Sequence, residues 1–289
     1  MSDSEWWDQV VQPATAYLTA RQSPGGGFCF YRGPYLDEPN LADTYCAIRA
    51  LRLLGQAVPH KARTLAFLHA FDGFDQPAQL HARAMGLLSL APGWRPDSRL
   101  LASIHALRIA PAPAAGAAEL HGWLSRTRPI ARLKHAFDGI TEAPTVRAWI
   151  VAAGRDGGYG ERPNLWDTWL ALDIAYCCGA RVDRQASLAF VDRLQVPPYG
   201  FTAVKGSVLG NLEMVFAGVR CCALLGVPVR FAAQARSFVC ACQTGKGGFA
   251  RSPGALPNIE LTYRALWILD RLRRDVALRA PSACQDRFQ

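Results

Sequence analysis

The sequence has no apolar run approaching the roughly 20 residues that cross a bilayer as a helix, so a membrane-spanning helical protein is excluded. Its first residues, MSDSEWWDQVVQPATAYL, lack a basic segment followed by an apolar one; no signal peptide is read, and a cytoplasmic location is expected. None of the nine cysteines falls in a CxxC pair, and Cys240-Ala-Cys242 is poor ligand spacing. Cys177 and Cys178, like Cys221 and Cys222, adjoin each other inside apolar helical stretches, so reduced, buried thiols are expected instead of disulfides. Acidic residues are in short supply: 23 Asp plus Glu face 32 Lys plus Arg, a formal net charge of +9. Such an excess suits an anionic partner such as nucleic acid, phospholipid or a diphosphate. The basic residues are scattered, however, with only Arg271, Arg273 and Arg274 clustered, and no arginine-rich arm or basic-aromatic RNA motif occurs. Nucleic acid is therefore not an expected partner.

Strand-like alternation is also scarce. Stretches such as 42–55, 185–195, 211–225, 230–242 and 258–273 instead place apolar residues at three- and four-residue spacing, the signature of helices. Half of the 289 residues are hydrophobic, enough for a large core. The turns repeat. Gln22-Ser-Pro-Gly-Gly26-Gly-Phe28, Gln195-Val-Pro-Pro-Tyr199-Gly-Phe201 and Gln243-Thr-Gly-Lys-Gly247-Gly-Phe249 share one template, and Gly157-Gly158-Tyr159 keeps its glycines and aromatic but has Ala153 in the Gln slot. A second landmark follows each: Pro39-Asn40-Leu-Ala-Asp43-Thr-Tyr45, Pro163-Asn164-Leu-Trp-Asp167-Thr-Trp169, Gly210-Asn211-Leu-Glu213 and Pro257-Asn258-Ile-Glu260. Asn164, Asn211 and Asn258 are spaced 47 residues apart each time.

The repeating unit is a helix, a glycine turn, an asparagine N-cap and a second helix. Six hairpins are predicted, pairing 5–20 with 40–55, 60–71 with 77–90, 97–109 with 114–126, 142–153 with 164–178, 184–195 with 211–225, and 230–242 with 258–273. In the third, 110–118 is rich in Ala and Pro and 127–139 reads as an extra segment. His69-Ala-Phe-Asp-Gly73 and His135-Ala-Phe-Asp-Gly139 read as turn echoes. The whole chain, 1–289, is expected to be one all-α domain closing into a ring with the second helices inside, and 275–289 to be a tail.

At these turns the chain resembles the repeat of terpenoid cyclases and protein prenyltransferase β subunits, with Phe or Tyr where triterpene cyclases often carry Trp. The resemblance implies an α6/α6 toroid whose central, largely apolar cavity binds an isoprenoid. Fold alone does not settle chemistry. Prenyltransferases hold zinc through an Asp-x-Cys; here the slot reads Asp167-Thr-Trp169, and Cys46 lies one residue too far from Asp43, so no metal site is expected. His69, His81 and His135 are lone histidines that suggest none either. Class II cyclases protonate an alkene with a DxDD motif at this same helix start. The chain keeps only its last acid in Asp43 and Asp167, while the proton-donating slot is Ala42, Trp166, Glu213 and Glu260. DDxxD and NSE motifs are absent.

Glu260 and Glu213 are thus the candidate proton donors, with Asp43 and Asp167 beside them; burial would hold such an acid protonated. The plain alternative is that each simply sits in a helix's first turn, where the dipole favours negative charge. Tyr45, Trp169, Phe216 and Tyr263 occupy the slot of the prenyltransferase Cys ligand, and the resemblance turns them towards the cavity, either to stabilise a cation or merely to fill the core. One turn on lie Arg49, Asp173, Arg220 and Trp267, of which Arg49, Arg220 and Trp267 are candidate substrate-binding positions; Asp173 and Arg220 make an obvious pair, or, if the arginines face the lumen, they grip a diphosphate. Arg162, in Gly160-Glu-Arg-Pro-Asn164, resembles a diphosphate-binding pattern with one residue inserted; Arg32, Lys205, Lys246 and Arg251 occupy equivalent turns as a basic rim or as solvated residues. The expectation is a terpene cyclase-like enzyme that cyclises a linear isoprenoid by acid initiation. A non-catalytic isoprenoid- or protein-binding toroid and a zinc-independent prenyltransferase are the alternatives. No cofactor is expected beyond Mg2+ accompanying a diphosphate head, and a peripheral membrane contact fits the isoprenoid.

Overall fold

A computed structural model describes residues 3–33, 36–71, 76–137 and 139–277. Its outer helices are α1 (Asp3–Thr19), α3 (Lys61–Ala70), α5 (Ser98–Ala106), α7 (Ala143–Ala153), α9 (Arg184–Arg193) and α11 (Ala232–Ala241). The inner ones are α2 (Leu41–Leu53), α4 (Pro77–Leu90), α6 (Leu120–Phe137), α8 (Leu165–Cys178), α10 (Leu212–Leu224) and α12 (Ile259–Ala277). Each inner helix packs on the next and α12 packs back on α2, closing an α6/α6 toroid. Two short hairpins, Arg32–Gly33 with Leu36–Asp37 and Gln195–Val196 with Gly200–Phe201, edge the turns.

The repeated residues are what build the ring. The side chains of Asn40, Asn164 and Asn211 each accept a hydrogen bond from the backbone N–H three residues on, at 2.9 Å, and Asn258 does so from Leu261 at 2.7 Å. Thr44, Thr168 and Thr262 then lock turn to helix. Each hydroxyl donates to its asparagine carbonyl at 2.6 Å and accepts the N–H of Phe28, Tyr159 or Phe249 at 2.9–3.0 Å. Those aromatics are fully or almost fully buried. Gln22 donates to Pro59 O and Thr64 Oγ1, and Gln243 to Gly247 O and Val10 O, tying each turn to the next outer helix.

Gly157 adopts φ +83° and lies so close to α9 that a Cβ would sit 2.0 Å from Ala186 O. Gly247 does the same against Pro13 O at 2.1 Å, so the last turn docks on the first helix. That contact between distant residues closes the circle.

The third hairpin differs from the sequence reading. Its inner helix runs from Leu120 to Phe137, not 114–126, and carries Pro129 within it. Most of the supposed extra segment, 127–137, is therefore the lower half of an inner helix, and α12 runs on to Ala277 beyond the predicted 273. Parts of both turn echoes, Asp72–Gly73 and Asp138, lie outside the described residues, as does 278–289 of the tail. Among the described residues every cysteine is free, and all but Cys240 are buried.

Candidate functional site

The inner helices start at one end of the ring, and their first turns surround a cavity of about 210 Å³. Ala42, Tyr45, Cys46 and Arg49 form the α2 stripe facing it; His81 and Met85 come from α4, Arg128 and Arg132 from α6, Trp169 from α8, Phe216 and Arg220 from α10, and Glu260, Tyr263 and Arg264 from α12. Tyr45, Trp169, Phe216 and Tyr263 thus line one cavity as their common slot implied. Tyr45 leans on Tyr263 with ring centroids 6.4 Å apart, and Trp169 meets Phe216 edge-on at 5.2 Å. Trp267 stands one layer out, edge-on to Phe216 at 5.4 Å and beneath the Arg220 guanidinium at 4.8 Å.

The cavity expected to be largely apolar has a charged floor. About 12 Å below the helix starts, from Leu41 to Arg49 at 1.5 Å per residue, three guanidiniums converge on one carboxylate, and Arg49 lines the same cavity hydrogen-bonded to Tyr263. Asp173, with no side-chain exposure, accepts from Arg128 Nε at 2.7 Å, Arg132 Nε at 2.9 Å and Arg220 Nη2 at 3.0 Å. The anticipated Asp173–Arg220 pair forms, and two further arginines join it. Burial alone would raise the Asp173 carboxyl; the guanidiniums of Arg128, Arg132 and Arg220 instead hold it well below the usual carboxylate range. Three arginines on one aspartate leave two positive charges in excess, and Arg49 adds a third to the cavity lining.

Several buried polar atoms around this floor find no partner among the described residues: His81 Nε2, Trp169 Nε1 and Arg220 Nε. Buried polar groups are normally paired, so orphans converging on a cavity mark a place for a polar ligand. Burial, then the field of Arg128 and Arg132, pushes His81 down to about 3. A histidine whose folded-state value lies below its unfolded one loses stability as pH falls, because the unfolded chain takes up the proton first. Urea unfolding of the protein should therefore weaken from about pH 6.5 towards pH 4 by a few kcal/mol. His81→Phe should flatten that slope. Asp173 acts only below its unfolded range near 4. Asp43, pushed up mainly by burial against the hydrogen bond from Asn40, works in the opposite direction.

The four candidate acids do not share the cavity. Glu260 reaches its mouth, but its side chain is 55% exposed and accepts from Arg264 Nη2 at 2.6 Å. Glu213 is clasped between Arg264 at 3.2 Å and Arg251 at 2.8 Å. Both carboxylates are thus engaged by arginines at the rim, and these contacts add nothing to the proton-donor role expected for them. Asp43 lies off the lumen stripe of α2 and takes the Asn40 side-chain N–H at 2.6 Å. Asp167 is buried in the same way under Asn164 and meets His121 Nδ1 at 2.6 Å. Both belong to the N-cap lock.

Of the expected basic residues, Arg49 and Arg220 face the lumen. Arg162 lies in a separate groove with His121 and Trp166, Arg251 is bound to Glu213 on the rim, and Lys246 is exposed in its turn. Arg128, Arg132, Arg264 and His81 were not anticipated. The i,i+4 spacing of Arg128 and Arg132 was the available signal, hidden once 127–139 was read as an insertion. Among the described residues no group of three or more His, Cys, Asp or Glu is placed to hold a metal ion. The zinc position does not fit: Asp167 is consumed by His121 and Asn164, and Trp169 fills the thiolate slot.

Together these features define an all-helical toroid whose lumen sets aromatic walls above a cationic floor. The chain belongs to the family described as the prenyltransferase alpha-alpha toroid domain, whose model matches residues 3–79 and 119–285. The unmatched interval spans the irregular α4–α5 stretch. Among solved structures it is similar to Candida albicans protein geranylgeranyltransferase-I complexed with GGPP, at 13% identity, a TM-score of 0.62 and 92% coverage of each chain. At that identity the likeness bears on the fold. No curated protein sequence matches the chain.

Proposed function

We propose that the chain is an isoprenoid-diphosphate enzyme of the terpene cyclase and prenyltransferase type that holds the diphosphate head-down on its arginine floor. The observation that carries this reading is the convergence of Arg128, Arg132 and Arg220 on a single Asp173 beneath aromatic rings, in a cavity that Arg49 also lines. Guanidiniums bind phosphoryl oxygens bidentately and stay charged when partly buried. Ligand pockets commonly measure about 300–1,000 Å³, so the smaller volume here suits a head group and the first isoprene unit.

The chemistry follows from what surrounds that unit. The C1–O bond breaks with its electron pair leaving on the diphosphate, whose charge the floor stabilises. The allylic cation left behind lies against the faces of Tyr45, Trp169 and Phe216. The cation can then close on itself or be captured by an acceptor. Acid initiation by Glu260 or Glu213 is not part of this reading, because their arginine partners hold them.

Incubation with dimethylallyl, geranyl and farnesyl diphosphates should release diphosphate and give a cyclised, transferred or hydrolysed product. Arg49→Gln should cut release by at least about tenfold, the worth of one charge-assisted hydrogen bond, while Glu260→Gln leaves it near wild type. Binding without release would favour the non-catalytic toroid. Loss of release in Glu260→Gln with Arg49→Gln unaffected would restore the acid mechanism.

A further inference from the structure

Nine large apolar side chains stand exposed among the described residues, and seven of them lie at one end of the ring. They sit on the loops that lead into α2, α10 and α12, around the mouth of the cavity. Val208, Leu209 and Leu256 are 80%, 76% and 89% exposed, and Phe30 and Tyr31, on the loop before α2, are each 58% exposed. Exposed apolar groups gathered in one place mark an interaction site.

These loops are held out, not frayed. Tyr199 donates its hydroxyl to Val208 O and lays its ring under Gly210, while Leu209 N–H bonds Ser207 Oγ. The loop before α12 is pinned where Leu212 N–H bonds Arg251 O, and closes on itself through Ala255 N–H to Ser252 O. The loop before α2 is anchored by Arg21, which donates to Phe30 O. Three separate loops, leading into the neighbouring inner helices α10, α12 and α2, thus present apolar tips along one side of the ring's end.

We propose that this rim docks the toroid on a phospholipid bilayer, its apolar tips set among the head groups and the cavity opening into the interface. A protein partner needs a continuous, complementary face; these tips are disconnected, and the exposed Lys205 stands among them. An interface accepts isolated side chains one by one, and a cation beside them favours anionic lipid. No described helix is long and apolar enough to cross a membrane, so the contact is superficial. The head-down reading supplies its purpose: the charged floor forces an isoprenoid tail out through the mouth, and a bilayer would receive it. The docking itself stands on the rim alone.

The full chain should float with phosphatidylcholine vesicles, and more so when phosphatidylserine is added. Replacing Val208, Leu209 and Leu256 together by aspartate should lower the bound fraction by at least about tenfold. Val151→Asp on the outer wall should change nothing. Circular dichroism confirms that the triple variant is folded. A wild type that stays in solution, or a triple variant that floats equally, overturns the proposal. So does a self-association in light scattering that the triple variant abolishes, which would assign the rim to a second copy. Calorimetry with inorganic pyrophosphate, without lipid, separates the two readings. Flotation lost with pyrophosphate binding intact sinks the docking alone; the reverse sinks the head-down site alone.

Discussion

Asp173→Asn should lower the unfolding free energy by about 3 kcal/mol, the lower end of the 3–5 kcal/mol range for breaking a buried ion pair. The substitution keeps the shape and removes the carboxylate that Arg128, Arg132 and Arg220 share. The lower end applies because the arginine side chains retain 17–27% exposure towards the cavity, where water can reach them. Urea denaturation at neutral pH measures the loss. Pyrophosphate should then restore much of it, since an anion bound to the folded state stabilises by mass action. A variant as stable as wild type would mean that the floor is already solvated and the carboxylate is not what holds the guanidiniums together.

Gly157→Ala should cost more than the usual left-handed penalty. At φ +83°, any L-residue pays about 1–2 kcal/mol. Here the added Cβ also meets Ala186 O at 2.0 Å, backbone that cannot swing aside. Overpacking adds about 1–3 kcal/mol, so a total near 2–5 kcal/mol is expected. Gly179→Ala is the control, with φ +64° and nothing within 4 Å of the new Cβ, and should cost only the conformational share. Equal losses in the two variants by thermal or urea unfolding would contradict the seating of each glycine turn on the following outer helix.

Much of this ring was legible in the sequence. The 47-residue asparagine spacing, the glycine turns and their aromatics fixed the hairpins, because caps and positive-φ turns are local devices read from a few residues. The inward stripe of Tyr45, Trp169, Phe216 and Tyr263 was also readable once the repeats were aligned. The floor was not. Pro129 and the Ala/Pro-rich 110–118 broke the helical pattern of the third repeat, so Arg128 and Arg132 were set outside the ring that they complete. His81 looked solitary because its neighbours come from α2 and α6, distant in sequence. The glutamates' partners were hidden for the opposite reason: their slot matched, but Arg251 and Arg264, which pair with them, reach in from a rim loop and a later helix turn.

Titration calorimetry with inorganic pyrophosphate tests the anion floor most directly, in wild type and in Arg49→Gln/Arg132→Gln. Each lost charge-assisted hydrogen bond is worth about 1.5–3 kcal/mol, so single-site binding weakened about a hundredfold or more in the double variant is predicted. Absence of binding to the wild type, or equal binding by the double variant, would contradict it.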